Sequence, residues 1–214
     1  MQVNYEARAA AAVKRRDRTR SRLIDAAMRV VAEKGAESVS VSDIAAAAGL
    51  SRGAFYNYFP HPDDLVVAVT EKMTADLDRE LMVEIAEVED PAERIACACV
   101  KFIDKGLEDP IWGWARMRLD GTAAPPHALA QERFLALFRD AVETGRFDPV
   151  STMAAMSLVM GSLRMAVRLS LTTEIEPPAD LGAETMVLVM IGLGLPKPEA
   201  RAMLARVRAR LARA

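Results

Sequence analysis

SVSDIAAAAGLSRGAFYNYF, residues 40–59, decides how the rest of the chain is read. Ser40 stands before an apolar run and Asp43 three residues on, the spacing of a reciprocal helix cap. Ile44, Ala45 and Ala48 then share one side of a short helix, small enough for a second helix to approach closely. Gly49 ends that helix, because glycine takes the left-handed conformation a sharp stop requires. Leu50 can plug the turn. Ser51 is a second cap, and Arg52–Phe59 form a second helix with Ala54, Phe55 and Tyr58 facing inward. Arg52, Gly53, Tyr56 and Asn57 are left facing outward.

Two short helices around a tight turn make a helix-turn-helix, and the outward residues suit DNA. An arginine forks onto guanine or phosphate. A glycine lets the backbone approach a phosphate, hydroxyls of serine and tyrosine donate to phosphate oxygens, and a helix N-terminus attracts anions. The candidate DNA-binding set is Ser40, Ser42, Ser51, Arg52, Gly53, Tyr56, Asn57 and His61. The alternative is a plain core hairpin, which has no need of Arg-Gly and Tyr-Asn together on its exposed side.

With the preceding RSRLIDAAMRVVAEKGAESVS (20–40) and the following PHPDDL (60–65), the stretch resembles the DNA-binding domain of the tetracycline-repressor (TetR) family. The resemblance runs from about Arg18 to Leu65. It implies an all-α, homodimeric transcriptional regulator, usually a repressor, bound to double-stranded, palindromic operator DNA and released by a small-molecule effector. The expected organisation is an arm over 1–17, a three-helix helix-turn-helix domain over 18–62, and a helical ligand-binding and dimerisation domain over 63–214. Two positions depart from the family. Pro62 stands where the family often has a phosphate-touching lysine, so His61 is expected to take over polar contact. Asn57 stands where an aromatic residue is more usual, so the family's base-reading pattern does not transfer.

Of the 214 residues, 51% are hydrophobic, enough for a full core. No run approaches the roughly 18–20 uninterrupted apolar residues of a membrane span. No basic-then-apolar leader precedes the motif, so a cytoplasmic protein without a membrane partner is expected. The net charge of −2 hides an asymmetry: residues 1–59 hold ten Lys/Arg against six Asp/Glu, a net +4, leaving 18 against 24 beyond. Positive potential is therefore concentrated beside the helix-turn-helix, as a DNA-binding footprint requires. Cys97 and Cys99 are two apart, which on a helix points them to different sides. With His61 and His127 distant, they make a poor metal set and are expected as buried thiols. No cofactor is expected.

Along the chain, the arm ends in Lys14, Arg15, Arg16, Arg18, Arg20 and Arg22. Two readings stand open: a solvated helix end, or a contact along phosphates or a minor groove. A bracing helix is expected over Arg18–Lys34 and a fourth over Pro62–Val88, the latter linking reader to body; in the family it is a lever. Proline and glycine breaks then predict helices over 91–107, 110–120, 127–145, 149–173, 179–193 and 197–213. The last carries arginine on a polar face and is read as a surface helix packed on the body.

In 149–173, Met153, Met156, Met160, Leu163, Val167 and Leu171 recur at helical spacing around Gly161, and Val187 begins a similar side on the next helix. The expected dimer interface is Met153, Met156, Met160, Gly161, Val167 and Val187, forming a four-helix bundle about a two-fold axis. Intrachain core is the alternative. A ligand pocket is expected among 91–107, 110–120 and 127–145, with the fourth helix closing one side, lined by Cys99, Phe102, Ile103, Trp112, Trp114, Met117, Phe134, Leu137 and Phe138, and with Arg116, Arg118 and Asp120 as a candidate polar handle. Both tryptophans and three of the six phenylalanines fall within 102–138, and methionine with aromatics makes an adaptable apolar lining. An enzyme is not expected, for want of a nucleophile–base set, a phosphate loop or a metal cluster. A regulator answering to a protein partner, with no small-molecule effector, is the second reading.

Overall fold

The computed structural model describes residues 3–35, 38–119, 128–149 and 151–212. His127, Asp120 and the break at 121–126 lie outside them. Among the described residues there are ten helices and no strand: α1 (Val3–Lys34), α2 (Val41–Ala47), α3 (Arg52–Tyr56), α4 (Pro62–Glu84), α5 (Pro91–Glu108), α6 (Pro110–Leu119), α7 (Ala128–Glu143), α8 (Thr152–Thr172), α9 (Leu181–Gly192) and α10 (Lys197–Leu211).

The expected stops and starts are chemically explicit. Asp90 accepts from the Ala92 amide at 2.9 Å with Pro91 opening α5, and Ser151 accepts from Ala154 at 3.2 Å to open α8. The first helix is longer than the bracing helix expected over 18–34: the alanine-rich arm continues it back to Val3, as its composition of good helix formers allows. α4 stops at Glu84, one turn short of the expected Val88.

Two cores form. The head core gathers Leu23, Ala27 and Val31 of α1, Ile44 and Ala45 of α2, Phe55, Phe59, and Leu65, Val69 and Met73 from the first half of α4. The body core surrounds α5, with Ile95, Cys99, Val100 and Ile103 touching Phe138, Val159, Val167, Met186 and Met203. α6 follows α5 in the chain but gives Trp112, Ala115 and Leu119 to the head core. These residues lie at i, i+3 and i+7, on one side of the helix, and that side packs against α1.

The arginines of α10 are spent on the body. Arg206 meets Glu93 at 2.7 Å, Arg208 meets Asp104 at 2.5 Å and Asp180 at 3.0 Å, and Arg210 donates to the Glu84 carbonyl at 3.4 Å. This agrees with a surface helix packed on the body. Lys101 of α5 meets Glu84 at 2.6 Å and Glu80 at 3.4 Å. Burial works against the Lys101 charge, but the two carboxylates outweigh it and raise its pKa. The far end of α4 is thus tied to α5 and α10.

α8 is long and apolar enough to cross a membrane by length and composition. Its Val159, Leu163 and Val167 pack inside the body. Its other side carries a second apolar stripe. Met153 is 78% exposed, Met165 and Leu169 50% each, and Leu188 of α9 72%.

Candidate nucleic-acid interface and ligand recesses

Every residue of the candidate DNA set is exposed: Ser40, Ser42, Ser51, Arg52, Gly53, Tyr56, Asn57 and His61. Their hydroxyls are not equivalent. Ser40 accepts from the Asp43 amide at 3.1 Å and donates to Asp43 Oδ2 at 2.7 Å, while Asp43 Oδ2 accepts from the Ser40 amide at 3.1 Å. The Ser40 proton is therefore committed within the head. Ser51 only accepts, from Ala54 at 3.1 Å, so its proton is left for a phosphate oxygen. The acid in this face is held ionised. Hydrogen bonds from Lys34, at 2.6 Å, and then from Ser40 keep the Asp43 carboxyl well below the usual carboxylate range.

α3 has only five residues and needs anchors. Phe55 is fully buried, edge-on to Tyr56 at 5.4 Å and tilted against Phe59 at 5.8 Å. That packing sends the Tyr56 phenol outward. Gly49 is needed because its φ is +67°, a conformation L side chains rarely adopt. Arg22 donates to the Ala48 carbonyl at 2.5 Å, at the end of α2. Arg16 reaches the Asn57 carbonyl at 3.5 Å and lies over the Tyr58 ring at 5.9 Å, and Arg20 lies over Phe59 at 5.1 Å. Cations within about 6 Å of a ring centroid are attracted by it. Half of the basic run therefore braces the reader, a use that neither sequence reading had assigned. Lys14, Arg15 and Arg18 remain exposed.

Sequence reasoning also missed the role of Arg118, which it named only as a polar handle for the pocket. Its guanidinium crosses from α6 to the end of α1, donating to the Val31 carbonyl at 3.2 Å and to Ala32, and covers Trp114 at 4.6 Å. Helix-end carbonyls lack intrahelical partners, and a cation there also suits the helix dipole. Nothing local in the sequence marks a partner 86 residues away.

The candidate ligand-binding residues do not line one cavity. Cys99 and Phe138 are buried in the body core, against which Met117 and Phe134 pack. Trp112 and Trp114 belong with the head, and Phe102 sits between the two, edge-on to Trp112 at 5.2 Å. The correction follows from α6 turning its aromatic side toward α1. Open recesses border α4, the helix expected to close one side of the pocket. One, of about 530 Å³, lies between the end of α4, α5 and α7, with Met82, Ile85 and Leu137 as its apolar walls and Arg94, Arg133 and Asp140 as its polar ones. Another, of about 350 Å³, includes Trp112.

The dimer set is divided too. Met153 and Gly161 lie on the exposed side of α8, and a β-carbon at Gly161 would touch nothing within 4 Å. Val167 is instead fully buried against Gly106, and Met156, Met160 and Val187 are half-buried against the body. The outer stripe adds Leu158, Met165, Leu169 and Leu188.

Cys97 and Cys99 are free and buried. Burial, with the Glu93 charge behind it, pushes the Cys97 thiol up to about 12, so it is protonated and unreactive at neutral pH. Among the described residues no group of His, Cys, Asp and Glu is placed to hold a metal ion.

Arg52→Ala is expected to lose about 1–3 kcal/mol of binding with relaxed preference at one base position. Tyr56→Phe is expected to weaken all sequences alike. Binding of both variants to DNA selected from a random pool and to scrambled DNA checks this, and unchanged binding in both would remove α3 as the reader.

Comparison with known proteins agrees with this geometry. Residues 23–69 match the family described as bacterial regulatory proteins, tetR family, and residues 90–206 match the tetracyclin repressor-like C-terminal domain. An HTH-type transcriptional regulator of Mycobacterium tuberculosis is 38% identical over 89 residues, 42% of this chain and 44% of that protein. The HTH-type transcriptional regulator BetI of Brucella abortus is 39% identical over 77 residues, 36% of this chain and 39% of its own length. The matches thus span less than half of these relatives. The crystal structure of RolR in complex with resorcinol aligns with a TM-score of 0.68 at 29% identity, covering 91% of this chain and 96% of that one.

Proposed function

Because the chain belongs to the tetR family of bacterial regulatory proteins and is a transcriptional regulator, we propose that it acts as a cytoplasmic homodimeric repressor, leaving a palindromic operator when a small apolar or amphipathic molecule binds the body. The observation that carries this reading is the exposed α3 face, capped by Ser51 and braced by Phe55, Arg16 and Arg20, on a head whose fourth helix continues into the body. One such reader contacts few base pairs, and two-fold pairing places a second in a neighbouring major groove. The α8–α9 stripe of Met153, Met165, Leu169 and Leu188 supplies an apolar seam for that pairing.

The effector is proposed to occupy the recess between α4, α5 and α7. It touches the end of α4 at Met82 and Ile85, so a ligand there bears directly on the helix that positions the head. RolR, whose whole length this chain parallels, was crystallised with resorcinol, which supports an effector of that size. The packing of the candidate aromatics into the two cores favours the second reading, a regulator controlled by a protein partner.

A paired substitution tests the assembly. Met165→Glu with Leu188→Glu puts four carboxylates in the seam, where unpaired charge is costly. Sedimentation is expected to show a monomer, and affinity for the selected operator to fall at least tenfold, or about 1.4 kcal/mol, with the DNA face intact. A variant that stays dimeric, or a monomeric native protein, would refute the two-fold reading. Ligands that saturate the recess yet leave operator affinity unchanged would put the partner-controlled reading ahead.

A further inference from the structure

We propose that the 350 Å³ cleft at the junction of head and body is a second small-molecule site, suited to a flat, uncharged hydroxyaromatic compound, and that filling it tilts the head. The cleft lies outside the effector recess, and only its effect on DNA rests on the function proposed above. Its floor is apolar and comes from three helices: Ile24 and Met28 of α1, Val69, Met73 and Leu77 of α4, and Trp112 of α6. The volume falls within the range of small-molecule pockets.

The rim sets the ligand's charge. Lys72, Arg79 and Lys105 stand against Asp76, Glu80 and Asp109, three of each sign. Most of these are satisfied within their own wall: Lys72–Asp76 at 2.6 Å and Arg79–Asp76 at 3.2 Å on α4, and Lys105–Asp109 at 3.3 Å at the end of α5. A charged molecule would meet a like charge on either wall. A hydroxyl can donate to a carboxylate and accept from an ammonium, so it fits a rim of mixed sign. Trp112 is held edge-on by Phe102 and borders the cleft, and aromatic rings prefer offset-stacked or edge-to-face partners.

The consequence for the head follows from where α6 is fixed. Arg118, near the end of α6, is bound to the Val31 and Ala32 carbonyls of α1. Trp112, near its start, faces the cleft beside Ile24 and Met28, earlier on α1. One end of the α6–α1 contact is clamped and the other is open. A molecule wedged at the open end shifts α1 about the Arg118 clamp and carries the helix-turn-helix with it. A ligand that fits only the widened cleft favours that shape by its differential affinity.

The probe is 2-naphthol, with 2-naphthoate as its charged twin, titrated by calorimetry into the native protein. Saturable binding of 2-naphthol is expected, with 2-naphthoate at least about tenfold weaker. Met28→Trp fills the cleft from α1 and Leu77→Trp from α4; whichever folds is expected to lose binding at least about tenfold. Ala136 lines the recess between α4, α5 and α7, and Ala136→Trp fills that recess and is expected to leave 2-naphthol binding unchanged. In a Trp114→Phe protein, emission from Trp112 is expected to move with the binding isotherm. No saturable binding, equal binding of 2-naphthoate, or loss in Ala136→Trp with retention in the cleft-filled variants would overturn the site. Operator binding is measured separately without ligand; its failure would speak against the regulator reading and leave the cleft standing. Operator affinity unchanged by saturating 2-naphthol would overturn the tilt.

Discussion

Phe55→Ala is expected to melt the head while the body stays folded. Removing a buried phenylalanine costs about 3–5 kcal/mol, and domains are typically stable by only about 5–15 kcal/mol in all. Phe55 is fully buried and is the one buried residue of a five-residue helix, so little else holds α3 in place. The two cores are separate clusters, so the loss is expected to split one denaturation curve into two. Tryptophan emission should follow the earlier transition, because Trp112 and Trp114 pack on the head core. Far-ultraviolet dichroism should follow both. A single transition displaced by less than about 1 kcal/mol would show that α3 does not depend on this ring.

Gly113→Val is expected to be the next most damaging change. A β-carbon at Gly113 would lie 2.6 Å from the Gly106 carbonyl oxygen and 3.1 Å from Leu171 Cδ1. The nearest obstacle is backbone and cannot swing aside, so α5 and α6 must part. Overpacking typically costs about 1–3 kcal/mol and more where the chain itself must move. Replacing a helical glycine returns at most about 1 kcal/mol, and less for valine than for alanine. The net loss is placed at roughly 2–3 kcal/mol. Because α6 carries Trp112 and Arg118 to α1, operator affinity is expected to change as well. Gly53→Ala is the control: the nearest atom to its β-carbon is Ser51 Oγ at 4.0 Å. Equal stability of the two variants would contradict the close α5–α6 approach.

The head was legible because its signals are local. Ser40 with Asp43, Ser51, Gly49 and Pro62 each act within a few residues of themselves, and each stands where its chemistry places it. The helices of the body were legible for the same reason, through Asp90-Pro91, Asp109-Pro110 and Pro196. Which side of a helix meets which neighbour is not local information. α8 is apolar on two sides, and periodicity alone does not say which stripe turns inward; the chosen residues mixed Met153 and Gly161 of the outer stripe with the buried Val167. Trp112 and Trp114 were grouped with Phe134 and Phe138 by proximity in sequence, yet α6 rotates them onto α1. Arg16 and Arg20 read as a solvated helix end or a DNA contact, and Arg118 as a handle for the ligand pocket, until the carbonyls and rings they reach are known.

The two-sided α8 also links abundance to survival. A chain with no partner shows Met153, Met165, Leu169 and Leu188 to water, an apolar strip that invites sticking to other proteins. Association that covers the strip stabilises only the folded form, by an amount that grows with protein concentration. Dilute copies, such as those left after synthesis stops, are then the ones most open to unfolding and proteolysis. Under the proposed two-fold assembly, loss of the regulator from the cell would accelerate as its level falls.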